Sequence, residues 1–378
     1  MEKLKQPIAV TKSFLPPIDE YIDQIKEIWD THWITNQGPL HERFIKQAQR
    51  YLKVPHVVPF ANGHLALDIA IKAFQLKGNV ITTPFTFAST THALVMNGLE
   101  PKFCDISLAD FTIDVEKIEE LIDENTSAIM PVHVFGYPCN VAEIDRIAKK
   151  YKLKVIYDAA HVFGVEIDGV GIGTYGDVSM FSLHATKVFH SIEGGLLTFC
   201  NPEYKSVFNL YKNFGITGPE DVVAVGLNAK MNEFQAAMGL VNLRYLEEEC
   251  KKRKEVVNTY RSKLATVPGI YFLEDIPGVK HNYAYFPILV HEHEYGMDRN
   301  NLHDRLREYN VFPRKYFYPL TSDFQCFGGR YSNISIPNAR FVASRVMTLP
   351  LYGDMGIEMT AQIAYLIAEF NKETSKRW

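Results

Sequence analysis

The sequence is poor in cysteine, with 5 in 378 residues: Cys104, Cys139, Cys200, Cys250 and Cys326. They are odd in number, scattered and free of any CxxC pair, a spacing that argues against a disulfide framework and a structural zinc site. A reducing, cytoplasmic location is expected. No stretch approaches the roughly 18 apolar residues of a membrane span, and the start, MEKLKQPIAV, lacks the apolar centre of a signal peptide. Neither export nor insertion is expected. An excess of charge is also missing: 40 Lys and Arg stand against 44 Asp and Glu, a formal net charge of -4. Without bulk attraction for nucleic acid or an anionic membrane, any anionic ligand must be held by a local site. KKRKEVVNTYRSK follows EEE and keeps a helical period, so it reads as a solvated helix face rather than a nucleic-acid patch. HEHE, from His291 to Glu294, has Tyr295-Gly296 beside it and no second ligand cluster; it reads as a surface loop, and no metal is expected. Repeats and low-complexity tracts are lacking as well. What remains is a globular composition, 47% hydrophobic and 22% charged, long enough for two or three packed domains and suited to a small-molecule partner.

The chain reads as α/β. IDEYIDQIKEIWDTHW has apolar residues at helical spacing, and a second helix follows the turn-like stretch Thr35 to Pro39. HVVPFANGHLALDIAIKAF then reads as strand, glycine turn and helix, NVITTPFTFASTTHALVMNG repeats the unit, and KFCDI is a short strand. SAIMPVHVF, KVIYDA, DVSMFSL and GGLLTFC supply four more apolar segments, the first two separated by the amphipathic VAEIDRIAKKYK. That alternation predicts a mainly parallel, buried sheet with helices on both faces. Past about Leu240 come a long charged helix, RYLEEECKKRKEVVNTYRSKL, strand-like pieces such as YAYFPILV, and a last helix near Ala361 to Lys372. The expected division is a large domain over 1–245, including the N-terminal arm, and a smaller α+β domain over 246–378.

In open α/β sheets, ligands collect beyond the carboxyl ends of the strands, and the polar clusters fall there. ANGHLAL sets Gly63 and His64 where a helix begins, so exposed N–H groups and the positive dipole end suit a phosphate; glycine also serves any tight turn. In YDAAH, Asp158 closes an apolar strand and invites a cationic partner, although Asp is equally a favoured helix cap. In FSLHATKVFHSIEGG, Lys187 sits just before a new apolar strand, where poor solvation lowers an amine's pKa and frees it to form an imine. Most lysines are solvated surface residues, so context decides.

That context is a resemblance. DAAHVFGV and FSLHATKVFHSIEGG, with Lys187 29 positions after Asp158, resemble the pyridoxal-phosphate (PLP) sugar aminotransferases of the DegT/DnrJ/EryC1/StrS family. WITNQGP, FANGHLAL, TTPFTFAST, MPVHVFGYP and GLNAKMNEFQAAMGL extend it in the family's order over roughly residues 25 to 245. The resemblance implies a fold-type I PLP-dependent transferase with Lys187 as the Schiff-base lysine, Asp158 on the pyridine nitrogen, and Phe87 stacked on the ring. It implies phosphate contacts from Gly63, His64, Ser182 and, across a homodimer with shared active sites, Asn228 of the second subunit. His161 stands where many members carry Gln and could bond the ring hydroxyl; His64 stands where many have Thr. The amino donor is expected to be L-glutamate, leaving 2-oxoglutarate and pyridoxamine 5'-phosphate, which then aminates the second substrate. Related dehydratases replace the lysine with His, and with Lys187 kept, transamination is favoured. The wording of SLHATKVFHSIEGG looks closest to the branch acting on dTDP-linked 4-keto- or 3-keto-6-deoxyhexoses, including viosamine-type synthases that serve cell-surface or secondary-metabolite sugars. Candidate substrate contacts are Trp33, Thr35 and Asn36 in the WITNQGP loop, Phe135 and Tyr137, His184, and the basic aromatic segment of Arg314, Lys315, Tyr316 and Tyr318. A C3 aminotransferase, a PLP-dependent dehydratase and a non-catalytic regulator are the rival readings.

Overall fold

A computed structural model of the chain describes residues 3–375. Its centre is a seven-stranded sheet made of β1 (His56–Phe60), β2 (Asn79–Thr82), β3 (Glu100–Phe103), β4 (Thr126–Met130), β5 (Lys154–Asp158), β6 (Val178–Ser182) and β7 (Gly195–Phe199), in the order β1-β7-β6-β5-β4-β2-β3. The run β6-β5-β4-β2-β3 is parallel, and β7 is antiparallel to both its neighbours. Residues such as Val155, Ile156 and Tyr157 on successive positions are all buried, as a strand covered on both faces requires.

The helices α1 (Ile18–Thr31), α2 (Pro39–Leu52), α3 (Gly63–Ala73), α4 (Ala88–Met96), α5 (Val141–Tyr151), α6 (Glu203–Tyr211) and α7 (Glu233–Asn242) supply those covers. One core joins α2, α5 and α7 to the sheet through Phe44, Ile144 and Ala237; the other joins α3 and α6 through Leu67, Ile71 and Phe208. α5 shows the local logic. The Asn140 side chain accepts from the Glu143 N–H, and Val141, Ile144, Ile147 and Ala148 fall on one buried stripe. Each such fully buried aliphatic side chain contributes about 1.5–3 kcal/mol, so Ile144→Ala loses more than any cap.

From Leu246 the architecture changes. α8 (Leu246–Leu264) packs with a three-stranded antiparallel sheet, β8 (Ile270–Phe272), β9 (Phe286–Val290) and β10 (Val346–Leu349), and with α10 (Arg299–Glu308) and α12 (Ile357–Ser375) around a separate core. α9 (Glu292–Tyr295) is a single turn of helix, exposed except for the buried Tyr295, where HEHE reads in sequence as a loop; its Gly296 cap has φ 87°. α11 (Pro337–Arg345) lies between α10 and α12. The expected boundary at 245 falls between α7 and α8. The N-terminal arm crosses it, because Ile8–Ala9 pairs in parallel with Val311–Phe312.

Register does the work of positioning. Asp158 closes β5 opposite Met180, Ser182 closes β6 opposite Gly195, and Gly195 lies opposite Phe60 at the end of β1. Three strand ends and the turn that starts α3 therefore meet at one edge of the sheet.

Candidate active site

Asp158 is 4% exposed and fully engaged: Thr90 Oγ1 donates to its Oδ2 at 2.6 Å and the Ala160 N–H to its Oδ1 at 3.1 Å. Burial pushes its pKa up, and Thr90, Ala160 and the Lys187 ammonium oppose that rise. Lys187, in the turn between β6 and β7, shows the opposite movement. Burial lowers its pKa, while the Asp158 carboxylate and the Tyr316 phenol act to hold the proton. Both shifts favour neutral forms, the signature of a carboxylate and an amine that share a poorly solvated pocket.

The walls of that pocket come from both halves of the chain. Ala160, His161, Phe163, Asn282, Ala284 and Tyr285 line it with Lys187. His161 is held on three sides: its Nδ1 accepts the Phe135 N–H at 3.1 Å, its ring stacks on Phe317 at 6.0 Å, and Tyr285 meets it edge-on at 4.9 Å. With Nδ1 an acceptor, the ring proton is on Nε2. Burial keeps the ring neutral, since its pKa lies well below the usual value.

Beside this pair lies an anion cradle. A Cβ on Gly63 would come within 2.9 Å of Met180 Sδ and 3.3 Å of Ser182 Cβ, and one on Gly195 within 2.5 Å of the Asn62 carbonyl. Glycine alone lets α3 begin this close to the strand ends. The Asn62 side chain caps the Leu65 N–H, and the N–H groups of Gly63 and His64 have no helical partner. The close approach of Gly63 to Ser182 brings a hydroxyl-bearing side chain to this helix start, a combination suited to a phosphate. His64 Nδ1 pairs with Ser89 Oγ at 2.9 Å. Phe87, the residue before α4, leaves 58% of its surface uncovered. A half-buried imine-forming amine, a buried carboxylate, an exposed aromatic face and a phosphate cradle together make a donor set that fits PLP.

The remaining sequence-derived candidates divide. Tyr316 is brought to Lys187, its ring edge-on to Tyr285 at 6.0 Å and the Arg314 guanidinium 5.0 Å above it. His184 is exposed, bonded to Thr186 at 2.8 Å and 3.5 Å from Glu193. Trp33, Thr35 and Asn36 lie on an exposed loop tied to the start of α7 by the Glu233 N–H to Ile34 carbonyl bond. Gln235, two residues on, donates to the carbonyls of Ala61 and Glu193, which places the loop on the same rim. Asn228 is exposed, its backbone bridged to Asn213.

The side chains of four candidates are engaged in other contacts. Phe135 is 1% exposed, packed on Phe85 and Phe317, and serves the site through its backbone N–H alone. The Tyr137 hydroxyl is taken by the Leu273 carbonyl, with Arg261 3.4 Å away. Lys315 acts on Asp304 of α10, and Tyr318 covers the Arg299 guanidinium at 4.9 Å. Aromatic and basic composition drew attention to these four, but their side chains satisfy the C-terminal domain. Sequence reasoning also passed over Thr90, Asn282, Tyr285 and Phe317. Thr86 and Thr90 carry a usable signal, a polar pair four apart flanking Phe87; the other three reach the site only through the tertiary fold.

Comparison with known proteins agrees with this geometry. The DegT/DnrJ/EryC1/StrS aminotransferase family profile matches residues 18–368. The chain is 40% identical over 366 residues to the dTDP-4-amino-4,6-dideoxy-D-glucose transaminase of Shigella dysenteriae, covering 97% of this chain and 100% of that protein. It is 39% identical over 363 residues to the Escherichia coli enzyme of the same name, covering 95% and 98%. Among solved structures, DesI in the presence of its TDP-sugar product superposes with a TM-score of 0.93 at 28% identity, covering 100% of this chain and 97% of that one.

Proposed function

The chain belongs to the DegT/DnrJ/EryC1/StrS aminotransferase family, and from that premise we propose that it transfers an amino group from L-glutamate to a dTDP-linked 4-keto-6-deoxyhexose. It is a PLP-dependent enzyme. The 4-keto position is supported by the two dTDP-4-amino-4,6-dideoxy-D-glucose transaminases that match nearly the whole chain. The observation that carries the mechanism is the Asp158–Lys187 pair, its carboxylate buried and its lysine half-buried at the strand ends beside the α3 cradle.

Bound PLP supplies an electron-withdrawing ring that stabilises negative charge at the carbon bearing the transferred amine. Lys187 Nζ is the amine that would hold the cofactor and the base that would take and return a proton; desolvation makes it usable closer to neutrality than a solvated lysine. Asp158 holds positive charge at the ring nitrogen. The Gly63 and His64 N–H groups and the Ser182 hydroxyl take the phosphate, the His161 Nε2–H is the donor available to the ring oxygen, and Phe87 covers the ring face. Tyr316 and Arg314 stand on the substrate side, and the loop of Trp33, Thr35 and Asn36 completes the rim.

The working unit is a homodimer in which Asn228 reaches the partner's phosphate. In support, the 213–228 segment folds back on itself through the Asn213–Asn228 and Ile216–Val222 bridges and exposes Val222, Val223 and Val225, the last 92% uncovered. A cytoplasmic location follows from nucleotide-sugar chemistry, and among the described residues no helix is long and apolar enough to cross a membrane.

The test compares visible absorption of wild type and Lys187→Ala with PLP, before and after L-glutamate. Wild type is expected to show a PLP band that glutamate abolishes, and a dTDP-4-keto-6-deoxyhexose to restore it, with one 2-oxoglutarate released per amino sugar formed. Product without 2-oxoglutarate release points to dehydration instead. No covalent PLP in wild type sinks the proposal.

A further inference from the structure

We propose that Thr90 is a positioning residue for the reaction: its hydroxyl, steadied by Thr86, fixes the Asp158 carboxylate in the orientation that meets the ring nitrogen of the cofactor. The proposal rests on the PLP reading above and deepens it.

Thr86, Thr90 and Asp158 are 3%, 0% and 4% exposed, so water does not substitute for any bond among them. Thr90 Oγ1 lies 2.6 Å from Asp158 Oδ2, and Thr86 Oγ1 lies 2.8 Å from Thr90 Oγ1. An ionised carboxylate only accepts, so the single Thr90 proton points to Asp158. Thr90 oxygen is then the acceptor for Thr86, and both hydroxyl protons are directed along one row toward the carboxylate. On the other oxygen the Ala160 N–H fixes Oδ1. One donor on each oxygen defines the carboxylate plane and leaves each oxygen with accepting capacity for a cationic partner.

The placement of Thr90 adds to its fitness. It lies in the first turn of α4, three residues after Phe87, and its N–H bonds the Phe87 carbonyl at 3.3 Å. One helix start therefore carries both the exposed aromatic ring of Phe87 and the anchor of the carboxylate, so a shift of α4 moves the two together. Without the Thr90 hydroxyl, the buried carboxylate keeps a single backbone N–H donor. It then turns toward another donor or takes up a proton, and in either state it holds a cationic ring nitrogen poorly.

Thr90→Val keeps the shape and deletes the donor; Thr90→Ser keeps the donor and deletes the methyl. In PLP titrations of the full-length apoprotein, followed by fluorescence, Thr90→Val is expected to bind about 10- to 100-fold more weakly, the loss of a charge-assisted bond. Thr90→Ser is expected within about threefold of wild type by the same reasoning. The pH midpoint of the holoenzyme's visible band shifts in the Val variant and not in the Ser variant. A packing role predicts the reverse order, with Ser the worse. Because Thr90 acts through Asp158, adding Thr90→Val to Asp158→Asn is expected to weaken PLP binding no further. If circular dichroism shows that Thr90→Val does not fold, Thr90→Ala makes the same comparison. Wild-type affinity and pH midpoint in the variant lacking the hydroxyl, or an equal loss in the Asp158→Asn background, overturns the proposal. Failure of the PLP reading looks different: wild type itself then gives no visible band.

Discussion

At the residue scale the chemistry depends on two groups that burial moves in opposite directions. The Asp158 pKa is raised and the Lys187 pKa lowered, each chiefly by desolvation, and each then partly restored by the other. The sign of a substitution follows. Asp158→Asn removes the carboxylate that helps Lys187 keep its proton, so the amine becomes free at lower pH than in wild type. The pH profile for borohydride trapping of pyridoxal on Lys187 in the apoprotein is therefore expected to shift to lower pH, while transamination falls about 100-fold or more through loss of charge stabilisation at the ring. An unmoved profile, or one moved to higher pH, contradicts the coupling. Lys187 and Asp158 were legible because their chemistry resides in side chains inside ordered motifs. Phe135 was legible as a residue near the site but not for its role, since the functional group is its backbone N–H and its φ is 58°.

At the element scale, apolar runs translated into strands faithfully, because a strand covered on both faces needs an apolar residue at every position. All seven strands of the central sheet overlap segments that the sequence marks as apolar, although β3 starts two residues before KFCDI and β4 one residue before SAIMPVHVF. Segment ends were less legible. The last helix runs Ile357–Ser375 rather than Ala361 to Lys372, and HEHE forms a helical turn closed by Gly296, where the flanking Tyr295-Gly296 suggested a loop. Least legible was the clamp between elements. The buried Asn282, just before β9, donates to the carbonyls of His161 (2.9 Å) and Phe163 (3.1 Å) and accepts the Ala284 N–H (3.2 Å). It ties the C-terminal half to the turn carrying His161, and nothing in HNYAYF announces it. Asn282→Ala leaves three buried polar groups unpaired, with an expected cost of about 2–4 kcal/mol and weaker PLP binding, because the His161 turn is released. Urea denaturation of the apoprotein measures the first effect and PLP titration the second. An unchanged midpoint rules out the clamp.

At the scale of the whole molecule, the site is built from many separate stretches and is still open on one side. Phe87 is uncovered, Asn228 projects from a folded-back segment, and Val222, Val223 and Val225 of that segment face outward with Phe214 and Ile216 also substantially exposed. In the proposed homodimer this apolar ribbon with its amide donor is the arm offered to a second copy of the chain, and two-fold symmetry would make its use reciprocal: each subunit would give one Asn228 and receive one. Reciprocity has a consequence that packing alone lacks. A Lys187→Ala subunit has no working lysine but offers an intact Asn228; an Asn228→Ala subunit keeps its lysine but fails to complete its partner's cradle. Hybrids of the two contain one fully intact site. Random reassortment makes about half of all dimers hybrids, so about a quarter of all sites regain both groups. Mixing the two purified variants, at a PLP concentration too low to load Asn228→Ala alone, is expected to restore about a quarter of wild-type activity by that count. Differently tagged subunits verify the exchange by co-purification. Exchange without recovered activity means that each chain completes its own phosphate cradle, and Asn228 then belongs to the surface loop alone.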